Sequence, residues 1–325
     1  MKYIYTALIA STVLFGGGII VLKSGILDIS LLDLRSKYQT AESKFVDLDG
    51  IEIHYYDEGK GPAVIISHAS YHSLHSWDGV ASLLKENFRV VRFDYPNAGL
   101  SGLDPQNRYS VEHYQNIITQ LADTLSIEKF NLVGTSSGGT VAFRYAANNP
   151  ERVARLVLVN SAGMPRTKIT NPNRIRGNLF QRWYSQQYKS PNHWKDALSK
   201  TVTSKPPSEE HIESTYDFNR RANRRPAAEI FRKNYITGDP SIVLNKIIAP
   251  TLILWGMDNP TVMHLEANVM QHWMTSAYTM VKKYSKLGHY PYIEEPKLVA
   301  QDIIEFLNGK VDKKLLKTTL IAQTP

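Results

Sequence analysis

Cysteine is absent from the 325-residue chain. Its absence excludes disulfides, thiolate zinc sites, cysteine nucleophiles and lipid attachment at cysteine. The sequence also has no G-x-G-x-x-G fingerprint, no phosphate-binding lysine loop and no H-E-x-x-H motif, which are the usual marks of dinucleotide, nucleotide and zinc enzymes. We therefore expect chemistry that is performed by side chains, with no cofactor and no metal ion.

Charged residues make up 21% of the chain and hydrophobic residues 42%, which is the composition of a globular protein. The length suits one large α/β domain, or one domain with an insertion. Residues 161–249 contain 16 Lys and Arg against 7 Asp and Glu, and this net charge of +9 accounts for the whole excess of +8. No nucleic-acid motif accompanies the basic cluster, so we expect no nucleic-acid partner. A solvated basic face, or attraction to an anionic membrane surface, explains it better.

Residues 3–22 contain no charged side chain. A helix of this length spans the hydrocarbon core of a bilayer, about 30 Å. The stretch is longer than the apolar region of a usual signal peptide, and no A-x-A-like cleavage site follows it. We predict an N-terminal membrane anchor and connector over residues 1–37, with the folded domain on the extracytoplasmic side. A cleaved secretory signal and a buried helix are the alternatives.

Short apolar runs alternate with helical stretches in the rest of the chain. This pattern predicts an α/β fold, a mostly parallel central sheet with helices on both faces, built from residues 38–160 and 246–325. Residues 161–245 break the pattern with prolines and scattered aromatics. They predict a helical cap over the strand ends rather than a long irregular crossover. The predicted strands are residues 51–56, 63–66, 88–93, 130–133, 155–159, 251–255 and 278–284.

The centre of the candidate site is residues 134–138, which read G-T-S-S-G between a predicted strand and a predicted helix. This is a G-x-S-x-G nucleophile elbow. The sharp turn strains its central residue, and glycines two positions before and after relieve the crowding. The first amides of the following helix point toward an oxyanion formed at the serine. The motif predicts Ser136 as nucleophile and the Ser137 amide as an oxyanion donor.

A serine hydroxyl needs a base, and the base needs an orienting group. His289 lies between the last predicted strand and the last predicted helix, so we expect it at the same sheet edge as Ser136. Asp258 follows the preceding predicted strand and lies between Ser136 and His289 in the chain. The order Ser, Asp, His is the one that accompanies this elbow. Its carboxylate would fix the imidazole tautomer. We place the second oxyanion donor in the turn after His68, at the Ser70 amide.

Together these motifs resemble the capped α/β-hydrolases of the esterase, lipase and C–C hydrolase type. The resemblance runs from Phe45 to the C-terminal helix. It rests on His68 with its turn, Asp94 to Ser101, the elbow, Trp255-Gly256 and Gly288-His289-Tyr290-Pro291. The resemblance implies a sheet of that type with a helical cap.

Three positions depart from the family pattern. Ala69 replaces the glycine that usually follows the histidine, and Tyr95-Pro96-Asn97-Ala98 departs from R-G-x-G-x-S. Asn259 lies three residues after a glycine, where the family acid usually lies, one position beyond Asp258. An amide does not stabilise an imidazolium as a carboxylate does. We therefore favour Asp258 as the acid, with Asn259 as the alternative acid position.

Ser136 excludes the aspartyl-ester chemistry of haloalkane dehalogenases and epoxide hydrolases, which carry aspartate at the elbow centre. The resemblance implies a serine hydrolase with a Ser-His-Asp triad that cleaves small carboxylic esters, with an apolar acyl or alkyl part, through an acyl-enzyme. The first alternative is a hydrolase that cleaves carbon–carbon bonds of vinylogous diketones. The second is a non-catalytic ligand-binding protein on the same fold, prompted by Ala69 and Asn259. A third is a protein that binds membrane surfaces through the basic cap.

Overall fold

The computed structural model describes residue 25 and residues 28–165, 189–235 and 238–309. The strands of this part of the chain are β1 (Lys44–Leu48), β2 (Ile51–Glu58), β3 (Ala63–Ser67), β4 (Arg89–Phe93), β5 (Phe130–Thr135), β6 (Val153–Val159), β7 (Thr251–Gly256) and β8 (Thr279–Tyr284). The helices are α1 (Leu31–Tyr38), α2 (Asp78–Leu84), α3 (Val111–Thr124), α4 (Ser136–Asn148), α5 (Pro191–Thr201), α6 (Glu209–Asn219), α7 (Arg224–Lys233), α8 (Pro240–Asn245), α9 (Leu265–Trp273), α10 (Pro291–Glu294) and α11 (Pro296–Leu307).

The strands form one sheet in the order β1-β2-β4-β3-β5-β6-β7-β8. β2 pairs antiparallel with both of its neighbours, and the other pairs are parallel. Every residue of β5 and of β7 is buried, as expected where helices cover both faces of a parallel sheet. The predicted mostly parallel sheet is confirmed. The sequence pattern missed β1, because only Leu48 of this five-residue edge strand is buried and its charged residues, Lys44 and Asp47, are exposed.

Alternate residues of β7 enter two separate hydrophobic clusters. Ile253 and Trp255 belong to the cluster that includes residues of α3 and α4. Leu252 and Leu254 belong to the cluster that includes residues of α2 and α11. The period of two follows from the geometry of a strand, whose successive side chains point to opposite faces. Helices therefore cover both faces of the sheet. The loops meet at the carboxyl ends of the strands, where sites form in sheets of this kind.

Residues 161–245 lie between β6 and β7, and their described part contains helices α5 to α8. We call this segment the insertion. Ser190 and Ser208 cap α5 and α6, since each side chain accepts a hydrogen bond from a backbone N–H three residues later. The helical character predicted for the segment is found in these four helices. Residues 166–188 and 236–237 of the predicted cap lie outside the described residues.

Helix α1 and the residues just before it contact the insertion. Ile29 N–H donates to Arg220 O and Ala222 N–H to Ile29 O, both at 2.9 Å. The Asp217 carboxylate accepts from Lys37 Nζ at 2.7 Å and from Tyr38 OH at 2.8 Å. The predicted anchor, residues 3–22, lies outside the described residues. None of the helices in the described part is long and apolar enough to cross a membrane.

Candidate active site

The elbow turns directly from strand into helix, since β5 ends at Thr135 and α4 begins at Ser136. Ser136 has φ +50°, in the left-handed region that side chains rarely adopt. A Cβ at Gly134 would lie 2.6 Å from the Cβ of Ala142, and one at Gly138 would lie 2.4 Å from the His68 carbonyl oxygen. Both distances are too short for real atoms. The glycines therefore let helix and strands approach, and the packing holds the serine in its strained conformation.

Ser136 Oγ lies 3.1 Å from His289 Nε2, within hydrogen-bond distance. His289 follows β8 in the chain and is 1% exposed. Burial lowers the pKa of His289 from 6.5 to about 3. The imidazole is therefore neutral at pH 7, the state in which Nε2 can accept the serine proton.

Asn160 holds together the loops that follow β7 and β8. Its Oδ1 accepts from Gly256 N–H at 3.0 Å, and its Nδ2 donates to Gly288 O at 3.0 Å and to His289 O at 2.9 Å. Asn160 is fully buried and has φ +43°, a conformation that asparagine tolerates better than most residues. Our sequence analysis missed this residue. The sequence feature that could have identified it is a polar residue directly after a predicted buried strand.

Glu294 connects the His289 loop to the insertion. Its Oε1 accepts from Gly288 N–H at 2.7 Å, and its Oε2 accepts from Thr203 N–H at 2.9 Å and Ser204 N–H at 2.8 Å. The residue has 0% exposure, so its charge is satisfied by three backbone donors. The sequence offered no signal for this role, because Glu294 and Glu295 are adjacent and look alike there.

The insertion also contacts the candidate base directly. His289 N–H donates to Thr201 O, at the end of α5, at 2.6 Å. A displacement of α5 would therefore act on the backbone of the base itself. The insertion helps to form the site rather than only to cover it.

Asp258 and Asn259, the two candidate acid positions, have different environments. The Asp258 side chain is exposed, whereas Asn259 is 9% exposed. Asn259 Oδ1 accepts from Thr261 N–H at 2.9 Å and Val262 N–H at 3.1 Å. Within the described part of the chain, neither Asn259 Nδ2 nor His289 Nδ1 has a hydrogen-bond partner, although both atoms are buried. Among the described residues, the structure thus brings Ser136 and His289 together, and no carboxylate is hydrogen-bonded to His289 Nδ1.

The two expected oxyanion donors lie side by side. Ser70 N–H donates to Ser137 Oγ at 2.8 Å, and the two hydroxyl oxygens are 2.7 Å apart. The turn that carries Ser70 is fixed by His68, whose Nδ1 donates to Ala69 O at 2.8 Å and whose Nε2 accepts from Tyr95 N–H at 3.1 Å. Both ring nitrogens of His68 are thereby committed. His68 supports the turn and leaves the base role to His289.

Asp94, directly after β4, is a buried anchor for the segments that contain Leu74 and Leu100. Its carboxylate accepts from Leu74 N–H and Leu100 N–H, and it pairs with His54 Nδ1 at 2.8 Å. Burial alone would raise the pKa of Asp94, but the hydrogen bond and charge of His54 outweigh burial and bring the pKa to about 2. Asp94 stays ionised and holds the backbone at Leu74 and Leu100 in place.

Aromatic rings link α6 of the insertion to the candidate base. The ring of His211 lies 5.4 Å from that of His72, which lies 4.4 Å from that of Tyr290, and the Tyr290 ring lies 4.6 Å from that of His289. Burial lowers the pKa of His211 to about 4. These rings give the site an uncharged, aromatic wall at neutral pH. Among the described residues, no group of three or more His, Asp or Glu side chains is placed to hold a metal ion.

A family model described as the alpha/beta hydrolase fold matches residues 62–296. A 2-hydroxy-6-oxononadienedioate/2-hydroxy-6-oxononatrienedioate hydrolase of Paraburkholderia phymatum is 28% identical over 295 residues, which cover 85% of this chain and 99% of that protein. An uncharacterized protein of Mycobacterium tuberculosis is 37% identical over 113 residues, 35% of this chain, and the match spans about a third of its length, 32%.

Solved structures are also similar. The crystal structure of a membrane phospholipase A superposes with a TM-score of 0.69 and 25% identity. The superposition covers 95% of this chain and 99% of that one. The similarity therefore extends well beyond the residues of the site.

Proposed function

Since the chain belongs to the alpha/beta hydrolase family, we propose that it is a serine hydrolase that cleaves carboxylic esters through an acyl-enzyme. The observation that carries the proposal is the 3.1 Å contact between Ser136 Oγ and His289 Nε2, made by a serine in a strained elbow and a buried, neutral histidine. This is the nucleophile–base pair that acyl transfer requires.

In the proposed reaction, Ser136 Oγ attacks the ester carbonyl carbon and His289 Nε2 takes the serine proton. The tetrahedral intermediate expels the alcohol, to which His289 returns that proton, and the acyl group stays on Ser136. Water, deprotonated by His289, then attacks the acyl carbonyl carbon. The second tetrahedral intermediate expels Ser136 Oγ, to which His289 returns the proton, and the acid is released. The Ser137 amide and a second donor beside it stabilise the negative oxygen in both steps.

The group that orients His289 is a separate proposal. We infer that Asn259 takes the acid position, because it is nearly buried while Asp258 is exposed, and because its loop is held to the His289 loop through Asn160. An asparagine there leaves the imidazole without a charged partner. The proposed enzyme would then work below the rate that a carboxylate at the same position would allow.

Labelling and turnover test the proposal together. The purified protein should react with a fluorophosphonate probe and hydrolyse p-nitrophenyl esters, and Ser136→Ala should abolish both. Ser82→Ala is the matched control, since this serine is exposed on α2. Ester turnover that persists in Ser136→Ala would refute the mechanism, and a wild type that neither labels nor turns over would favour a non-catalytic ligand-binding protein.

The second candidate is carbon–carbon bond hydrolysis of a vinylogous diketone. It is supported by the Paraburkholderia hydrolase, which matches along 99% of its own length. A panel of such diketones, assayed beside p-nitrophenyl esters of short and long acyl chains, separates the two candidates by their kcat/KM values. A preference for the diketones would replace ester hydrolysis as the proposed reaction.

We also infer that residues 3–22 attach the protein to a membrane. The support is their uncharged sequence and the similarity, over 95% of the chain, to a structure described as a membrane phospholipase A. An apolar acyl chain would suit an enzyme at a lipid surface. Alkaline carbonate should leave the full chain in the membrane fraction, and its release by carbonate would contradict the attachment.

A further inference from the structure

The Ser70 amide, expected as a free oxyanion donor, already donates to a side chain. Its hydrogen bond to Ser137 Oγ measures 2.8 Å, and the Ser70 and Ser137 hydroxyl oxygens are 2.7 Å apart. Ser137 directly follows the nucleophile, and its own backbone amide is the other expected donor. The Ser137 hydroxyl oxygen therefore lies beside both donors, in the region where a substrate oxyanion must form.

The hydrogen-bond capacity of the pair leaves one proton unused. A hydroxyl donates one hydrogen bond and accepts two. Ser137 Oγ accepts the Ser70 amide proton, and one hydroxyl of the pair donates to the other. Within the described residues, neither hydroxyl has a further hydrogen-bond partner, so one hydroxyl proton stays available. Accepting the amide proton also polarises Ser137 Oγ and makes it a better donor.

We propose that the Ser137 hydroxyl, rather than the Ser70 amide, is the second donor to the oxyanion. When negative charge forms on the substrate oxygen, the Ser137 proton turns to this ionised acceptor, since charge-assisted hydrogen bonds are stronger than neutral ones. Ser70 then donates to Ser137 Oγ through its amide and its hydroxyl together. Ser137 is thus a catalytic residue through its side chain as well as its amide, and Ser70 is a positioning residue.

This inference rests on the proposed ester hydrolysis. The alternative, in which the Ser70 amide is the direct donor, predicts a change in kcat of the opposite sign when the Ser137 hydroxyl is removed. If the Ser70 amide contacts the oxyanion directly, the Ser137 hydroxyl occupies the place of the substrate oxygen and must leave before reaction. Removing the hydroxyl would then leave kcat unchanged or raise it. If the hydroxyl is a donor, removing it lowers kcat.

The test compares Ser137→Ala, Ser137→Thr and Ser70→Ala with wild type on a p-nitrophenyl ester. We expect Ser137→Ala to lower kcat by roughly 10²–10³-fold with little change in KM, the usual cost of one lost oxyanion donor. Ser137→Thr keeps a hydroxyl and should retain most activity. Ser70→Ala should cause a smaller loss, since its amide still fixes Ser137 Oγ. Equal melting temperatures exclude misfolding as the cause.

A second readout uses a trifluoromethyl ketone, which forms a tetrahedral oxyanion on the nucleophile. Its inhibition constant should rise in Ser137→Ala by a factor close to the loss in kcat. Equal or faster turnover in Ser137→Ala, with wild-type activity that depends on Ser136, overturns the inference and leaves the proposed function standing. A wild type without turnover dependent on Ser136 overturns both.

Discussion

Replacing Asn259 by aspartate tests the proposed acid position, because it puts a carboxylate where we infer the group that orients His289. Asn259 Oδ1 accepts two backbone N–H groups, which fixes the amide orientation and leaves Nδ2 as its uncommitted atom. Nδ2 is a donor, and at the proposed acid position it would face His289 Nδ1 and favour the tautomer that carries its proton on Nε2. In that tautomer Nε2 cannot take the proton of Ser136. A carboxylate keeps both backbone hydrogen bonds and favours the productive tautomer.

The size of the effect follows from the new hydrogen bond. A hydrogen bond to a charged group contributes about 1.5–3 kcal/mol, and each ~1.4 kcal/mol is tenfold in rate. We therefore expect Asn259→Asp to raise kcat/KM by about 10- to 150-fold. The carboxylate also favours the imidazolium and raises the pKa of His289 from its present value of about 3. The acidic limb of the pH profile of kcat/KM should therefore move to higher pH.

The assay is kcat/KM for a p-nitrophenyl ester between pH 4 and 9, with Asp258→Asn as the comparison. Asp258 is exposed, so its replacement should change little. With a His289 pKa of about 3, the wild-type acidic limb lies below this range. A folded Asn259→Asp protein with unchanged kcat/KM and no acidic limb between pH 4 and 9 would refute the reasoning. A large loss in Asp258→Asn would instead identify Asp258 as the acid.

Two further predictions concern stability. Glu294→Gln replaces one of the two carboxylate oxygens that accept from three backbone N–H groups, so urea denaturation should show a loss of about 1.5–3 kcal/mol, whereas Glu295→Gln, at an exposed neighbour, should show little change. Equal effects would contradict the role given to Glu294. Burial lowers the pKa values of His211 and His289 to about 4 and 3, so the unfolded chain binds protons below pH 6.5 that the folded chain does not. The free energy of unfolding should fall between pH 6.5 and 4 by about 3 kcal/mol for each histidine. His211→Gln should make this dependence on pH less steep, whereas His272→Gln, at an exposed site, should leave it unchanged. A free energy of unfolding that does not change with pH in wild type would contradict the burial argument.

The elbow and the base show how far local pattern reaches. The elbow turn admits few residue types at its strained and crowded positions. The sequence alone therefore predicts the roles of Gly134, Ser136 and Gly138. The position of His289 could also be predicted from the sequence, because the strand before it and the helix after it fix the sheet edge where it lies. The strands followed from apolar runs, apart from β1, whose exposed edge carries a mixed pattern.

Contacts between distant segments could not be predicted from the sequence in the same way. Asn160, Glu294 and Asp94 satisfy backbone groups up to 129 residues away, and a polar residue beside a strand or helix gives no sign of which backbone group it will contact. The same holds for the contact of His289 with Thr201 at the end of α5. Such partners are set by the packing of whole elements.

The sequence by itself determined the fold class and predicted a nucleophile and a base, because strand period, turn strain and chain order are local constraints that depend on residue types. The tertiary structure decided which side chain near the base is buried, since Asp258 and Asn259 are adjacent in the chain and differ in exposure. It also decided that the Ser70 amide meets the Ser137 hydroxyl. Hydrogen-bond partners depend on where loops from different strands converge, and that convergence exists only in the folded chain.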